Sequence, residues 1–328
     1  MQDNFGRTID YLRISVTDRC NFRCTYCMPE QQTFLPRSDL LDYTEISLIA
    51  ARFIKHGIRK IRLTGGEPLA RRDVDVLIRE LGRHVQSGAL DELTLTTNGS
   101  RLAHFASILV ESGVRRINVS LDSLIPAKFN AVTRGGDLGQ VLDGIAAAKS
   151  SELAIRVNMV ALKGVNDDEI LSMAEYCAAN GFDLALIETM PLGDGVSGRT
   201  GQFIPLDEFI APLRETGALS PLDHRTAGPA RYYRLEPLGL RLGLITPMTH
   251  NFCGDCNRLR LASDGKVHMC LGSEFYVDFR EAIRHGGMDA VDGLLQKALR
   301  LKPERHDFER QMEDRGLRLQ RHMNATGG

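Results

Sequence analysis

Between residues 9 and 190, short runs in which apolar and polar positions alternate are each followed by a longer stretch of helical period. The runs predict strands at Ile9–Val16, Lys60–Thr64, Glu92–Thr97, Arg116–Leu121, Ala154–Val160 and Asp183–Glu188. The stretches predict helices over Asp42–His56, Asp73–His84, Arg101–Ser112, Leu138–Ser150 and Asp167–Asn180. Asp42 or Thr44 is placed to cap the first helix, and Gly113 and Gly181 lie just past two helix ends, where a left-handed residue closes a helix. Strand–helix repeats of this kind predict a parallel sheet covered by helices. Six are too few for an eight-stranded barrel. The expected fold class is therefore α/β, an incomplete (β/α)6 TIM-type barrel over residues 1–200 followed by an α+β extension over 201–328.

Parallel strands buried on both faces read as unbroken apolar runs. These do not. Arg13, Ser15 and Thr17 alternate with Ile14 and Val16, and Lys60, Arg62 and Thr64 with Ile61 and Leu63. Thr94, Thr96 and Asn98 follow the same rule, as do Asn118, Ser120 and Asp122, then Arg156 and Asn158, then Glu188 and Met190. Strand side chains alternate faces. One face should pack on helices, while the other is polar and basic and should line a wet or ligand-filled lumen. An exposed edge strand would explain any single polar position, but six agreeing strands favour the lumen.

Past residue 190 the pattern changes. Gly193–Gly201 reads as a loop or linker, Pro205–Thr216 as a helix and 217–230 as irregular chain. Short strand-like runs follow at Tyr232–Leu235 and Arg241–Ile245, then helices at Val277–Arg284 and Asp289–Leu301, with Asp278 and Asp289 as caps. Hydrophobic residues are 43% and charged residues 25%, as in soluble globular proteins. A net charge of −1 offers no general attraction to nucleic acid or an anionic membrane. No apolar run reaches membrane-spanning length, and the polar start Met1-Gln2-Asp3-Asn4 begins no signal peptide.

Seven cysteines fall into groups of three, one and three. That grouping points to metal sites in a reducing cytoplasm rather than to disulfides. Cys177, alone among apolar neighbours on a helix, reads as core. Cys20, Cys24 and Cys27 are spaced C-x3-C-x2-C directly after the first strand, where barrel-type folds place their chemistry. Three thiolates suit three irons of a 4Fe–4S cube and leave the fourth iron open, whereas a structural zinc would need a fourth ligand from elsewhere. Cys253, Cys256 and Cys270 form a second set, C-x2-C-x13-C. On spacing alone it suits zinc, completed by His250 or His268, as well as iron–sulfur. Between these cysteines, Arg258 and Arg260 share one face of an extended strand while Leu259 and Leu261 share the other. Guanidinium forks suit phosphate oxygens. Together with Arg13, Lys60, Arg62 and Arg156 they make an inward basic cluster that calls for an anion such as a nucleoside triphosphate.

The C-x3-C-x-Tyr26-Cys27 motif resembles the radical S-adenosylmethionine (SAM) superfamily. So do Thr64-Gly65-Gly66-Glu67-Pro68 after the second strand, Asn118-Val119-Ser120-Leu121-Asp122, and Met190. The two triplets together resemble the GTP 3',8-cyclase family of molybdenum cofactor biosynthesis. That resemblance implies two 4Fe–4S clusters, on Cys20, Cys24 and Cys27 and on Cys253, Cys256 and Cys270. It implies SAM contacts from Tyr26, Gly66, Ser120 and Met190, with Glu67 offering a carboxylate to the SAM ammonium. GTP contacts are implied for Arg13, Arg62, Thr96, Arg156 and the segment Arg258-Leu259-Arg260. The implied reaction forms 3',8-cyclo-7,8-dihydroguanosine 5'-triphosphate through a ribose C3' radical. An electron donor and a downstream cyclic pyranopterin monophosphate synthase are the implied partners, and the tail Met323–Gly328 is implied to reach into the active site. A homodimer is compatible with the sequence. Many members of the family carry arginine where this chain has Ala185. The rival readings are a radical SAM enzyme acting on peptides, usually richer in C-terminal cysteines, and a zinc-stabilised binding protein without catalysis.

Overall fold

The structure, a computed structural model, describes residues 1–192, 200–226, 228–306, 308, 319 and 321–327. Strands β1 (Tyr11–Ser15), β2 (Lys60–Thr64), β3 (Glu92–Thr97), β4 (Arg116–Ser120), β5 (Ala154–Val160) and β6 (Asp183–Ile187) pair in chain order, all parallel. Helices α1 (Tyr43–Lys55), α2 (Val74–Gln86), α3 (Leu102–Glu111), α4 (Pro126–Thr133), α5 (Leu138–Ser150) and α6 (Ile170–Asn180) intervene. The expected α/β class holds.

The C-terminal part extends the same sheet at both edges. It supplies β7 (Leu219–Pro221), β8 (Arg231–Leu235), β9 (Leu240–Ile245), β10 (Arg258–Leu261), β11 (Lys266–His268) and β12 (Tyr276–Asp278). β9 pairs in parallel with β6, and β10 in parallel with β1. The sheet order is β12-β11-β10-β1-β2-β3-β4-β5-β6-β9-β8-β7 and it stays open. Two parallel neighbours are thus added to the six expected. The addition of β10 beside β1 brings the two cysteine-bearing regions onto adjoining strands.

The alternation puts Leu12, Ile14, Ile61, Leu63, Leu93, Leu95, Ile117 and Val119 into one core with Ile46, Ile49 and Phe53 of α1 and Leu77, Ile78 and Leu81 of α2. Asp42 caps α1 in a reciprocal box. Its side chain accepts from Glu45 N–H at 2.7 Å, and Glu45 accepts from Asp42 N–H at 2.7 Å. Asp42→Ala is expected to cost about 1 kcal/mol of stability, read as a lower midpoint in urea unfolding; an unchanged midpoint would contradict this role for the cap. Gly181 ends α6 at φ 73° as expected.

Several expectations differ. α4 was not anticipated: it is short and begins at Pro126, a residue suited to a first helical turn. Pro205–Thr216 is not one helix but two turns, Leu206–Phe209 and Ala211–Glu215, with Pro212 opening the second. Val277 lies in β12 rather than starting a helix, because its neighbours pair with Lys266–His268. Helical chain begins only at Arg280, whose N–H donates to the Asp278 side chain at 2.9 Å. Helix α7 spans Gly287–Leu301, with Asp289 inside its first turn. Within the expected loop Gly193–Gly201, residues 193–199 lie outside those described.

Candidate active site

The loop after β1 carries Cys20, Cys24 and Cys27 and is held from several sides. Arg23 and Thr25 N–H donate to Thr133 and Val132 carbonyls at the end of α4, both at 2.9 Å, and Phe22 meets Phe129 edge-on. Gly66 N–H donates to Thr17 carbonyl at 2.7 Å and Glu67 N–H to Arg19 carbonyl at 2.9 Å, locking the loop after β2 against the cysteine loop. The approach is so close that a Cβ on Gly66 would stand 2.3 Å from the Arg19 carbonyl oxygen.

The three thiols line a cavity with Tyr26, Gly66, Glu67, Ser120 and Met190. Tyr26 is oriented by its hydroxyl, which donates to Asp122 at 2.8 Å, while the other Asp122 oxygen accepts from Val160 N–H at 2.9 Å. Burial pushes Asp122 up to about 6 and Cys20 up to about 11, and also raises Cys24. Thiols of this kind are costly as free thiolates and are deprotonated by a bound metal. Glu67 lines this cavity and is anchored from behind. It accepts from Thr97 Oγ1 at 2.7 Å, Leu69 N–H at 3.0 Å and Asn98 N–H at 2.7 Å, so both oxygens tie the β2 loop to the end of β3. Burial pushes it up to about 7.

A second cavity adjoins the first and is lined by Cys253, Cys256 and Cys270 together with Arg13, Arg62, Arg156, Arg258 and Arg260. Thr96, Asn158, Ile187, Met190 and Met323 line both. Strand register explains the arginines: Arg260 stands beside Arg13 and Arg13 beside Arg62, a row across three strands. Burial and then the neighbouring guanidinium of Arg260 pull Arg13 down to about 9. Burial and then Arg258 pull Arg260 to about 10, and burial also brings Arg62 to about 9. With its amide oxygen turned toward them, Asn118 accepts from Arg62 and Arg156, both at 2.8 Å. A chamber whose cations disfavour their own charge is poised for an anion.

Other expected residues separate. Lys60 lies at the start of β2 and is not among the residues lining either cavity. Leu259 is wholly buried in the apolar core, so any ligand contact from it would come from its main chain. Ala185 sits opposite Gly243, and the Tyr232 ring lies against that glycine with its hydroxyl accepting from Arg156 at 2.7 Å. His250 and His268 do not line the second cavity. His268 is engaged by Arg321 at 2.8 Å, and burial followed by that guanidinium lowers it to about 3. Among the described residues no three His, Cys, Asp or Glu side chains converge as around one metal ion.

Sequence reasoning missed Asp122 as the partner of Tyr26 and Asn118 as the partner of two arginines, although both lie in the quoted segment 118–122. It had placed the tail near the site, and Met323 N–H donates to Cys27 carbonyl at 3.2 Å while Arg260 donates to Gly327 carbonyl at 2.7 Å. Gly328 lies outside the described residues.

Residues 14–177 match the Radical SAM superfamily, and residues 182–308 match Molybdenum Cofactor Synthesis C. The chain is 52% identical to GTP 3',8-cyclase of Rhodopseudomonas palustris strain TIE-1, covering 100% of this chain and 96% of that protein. Against the Brucella canis enzyme of the same name it is 51% identical over the same shares. This chain belongs to the GTP 3',8-cyclase family. A GTP 3',8-cyclase from Agrobacterium fabrum is 50% identical over 100% of this chain and 94% of that one. Solved structures show the shared fold at lower identity. Streptococcus suis SuiB superposes with TM-score 0.65 at 13% identity, over 97% of this chain and 77% of that one. The anSMEcpe structure with bound AdoMet gives 0.57 at 17% identity, over 86% and 79%. Family membership supports SAM and iron–sulfur chemistry as cofactors of this chain.

Proposed function

We propose that this chain cyclises GTP to (8S)-3',8-cyclo-7,8-dihydroguanosine 5'-triphosphate, the first step of molybdenum cofactor biosynthesis. One 4Fe–4S cluster would be held by Cys20, Cys24 and Cys27, and a second by Cys253, Cys256 and Cys270. The observation that carries the reading is that both triplets open into adjoining cavities with a common wall, the second ringed by arginines. When bound, a cluster on Cys20, Cys24 and Cys27 together with SAM would supply the 5'-deoxyadenosyl radical chemistry.

The chain's own residues bind, orient and enclose. Tyr26, fixed by Asp122, forms the SAM wall with Gly66, Ser120 and Met190. Arg13, Arg62, Thr96, Arg156, Arg258 and Arg260 form the triphosphate wall. Ile187, Met190 and Met323 place apolar surface where the cavities meet, which limits water around a reactive carbon. Holding C3' and C8 of one nucleotide in a reactive pose is the protein's main contribution. A separate electron donor and a downstream cyclic pyranopterin monophosphate synthase are the proposed partners, in the cytoplasm. Among the described residues no helix is long and apolar enough to cross a membrane.

Arg258→Ala and Arg260→Ala are expected to weaken GTP binding by about 10- to 100-fold each, the scale of a lost charged hydrogen bond. SAM cleavage should persist in both. Equilibrium binding of GTP tests this, and unchanged affinity in both variants would overturn the triphosphate assignment.

A further inference from the structure

Helix α7 ends at Leu301, and the next residue is a lysine only 3% exposed. Lys302 Nζ donates to the Arg258 carbonyl at 2.9 Å, to the Met269 carbonyl at 2.8 Å and to Cys256 Sγ at 3.4 Å. An ammonium has three N–H donors, and each has one acceptor here. Arg258 lies two residues after Cys256, and Met269 directly precedes Cys270. One buried cation therefore joins the two chain segments that present these cysteines. The third segment is held nearby. Arg7 donates to the Cys253 carbonyl at 2.8 Å and to the Glu304 and Pro303 carbonyls at 2.7 Å, with Asp3 pairing its guanidinium at 2.7 Å. Residues 302–304 are the point where all three attachments meet.

A buried ammonium needs a countercharge. Two of the Lys302 partners are neutral carbonyls, so the sulfur side is where that charge lies. Hydrogen bonds and positive charge at cluster sulfurs raise the reduction potential. We propose that Lys302 is a positioning residue for the second triplet, clamping the Cys256 and Cys270 segments together and setting the reduction potential of the iron–sulfur group held there. This rests on the two-cluster reading above.

The test uses the full chain, reconstituted anaerobically with iron and sulfide, as wild type, Lys302→Met, Lys302→Gln and Cys256→Ala. Metal content and a redox titration followed by electron paramagnetic resonance are the readouts. Cys256→Ala marks which signal belongs to the first cluster. In Lys302→Met the second signal is expected to move to a lower potential, or its iron to be lost, with the first unmoved. Lys302→Gln, which keeps N–H donors without charge, should fall between. A second signal in Lys302→Met at wild-type potential and full iron content overturns the proposal. If the wild type holds one cluster and a zinc ion instead, the two-cluster reading fails and the redox role with it. The clamp is then read separately, as zinc retention during dialysis against a chelator, where equal retention in wild type and Lys302→Met would overturn it.

Discussion

Cys24→Ala is expected to abolish formation of 5'-deoxyadenosine and of cyclised product together, leaving no turnover above background. Cys24 sits at the centre of its loop, with Cys27 N–H donating to its carbonyl at 2.9 Å. Its thiol lines the first cavity beside Cys20 and Cys27. The two carboxylates lining that cavity are held by other partners, Glu67 by Thr97, Leu69 and Asn98 and Glu188 by Leu206, Met248 and Thr249. Iron content should fall from roughly eight atoms per chain to about four. Cys256→Ala should lose a similar amount of iron but keep SAM cleavage, because its thiol lines the arginine chamber. Anaerobic incubation with SAM, a reductant and GTP, with products separated chromatographically, distinguishes the two. Equal loss of SAM cleavage in both variants would contradict the division of labour between the triplets.

The sheet and its polar lumen were legible because the lumen positions break the apolar run that a solid parallel sheet would show. Arg13, Arg62, Asn118 and Arg156 all point to the side their alternation implies. Placement across the sheet was not legible. That β10 joins β1 and β9 joins β6 depends on pairing between residues far apart in sequence, such as Tyr11 and Arg258. No local pattern carries that. α4 escaped because it is short and only weakly amphipathic, yet its last residues hold the cysteine loop. Lys302 escaped for a different reason: a lysine after a helix end normally faces water, and only the packed structure shows both of its neighbouring carbonyls turned onto it. Glu67 was found by its motif, but its anchors were not, because a carboxylate beside two glycines gives no sign of the Asn98 N–H that it accepts from.

Gly327→Ala is expected to displace the tail and lower turnover by roughly tenfold or more, with cluster content and fold stability largely intact. Gly327 has φ +72°, a conformation costly for alanine by about 1–2 kcal/mol. Its environment is harsher still, since an added Cβ would lie 1.8 Å from Thr64 Oγ1 and 2.7 Å from Thr64 Cβ. Thr64 closes β2 and is buried, so it has little room to yield. The cheaper response is for the tail to leave. Leaving would break the 2.7 Å bond from Arg260 to the Gly327 carbonyl and unseat Asn324, whose side chain donates to the Asp18 carbonyl at 2.9 Å. Met323 would then withdraw from the common wall, and water would gain access where a carbon radical must survive. Because the sheet is complete without the tail, the melting temperature should change little. The sign of the uncoupling matters: SAM cleavage should continue while cyclised product falls, so the ratio of 5'-deoxyadenosine to product rises. A Gly327→Ala chain with wild-type turnover and that ratio unchanged would show that the tail's seat against Thr64 has no part in catalysis.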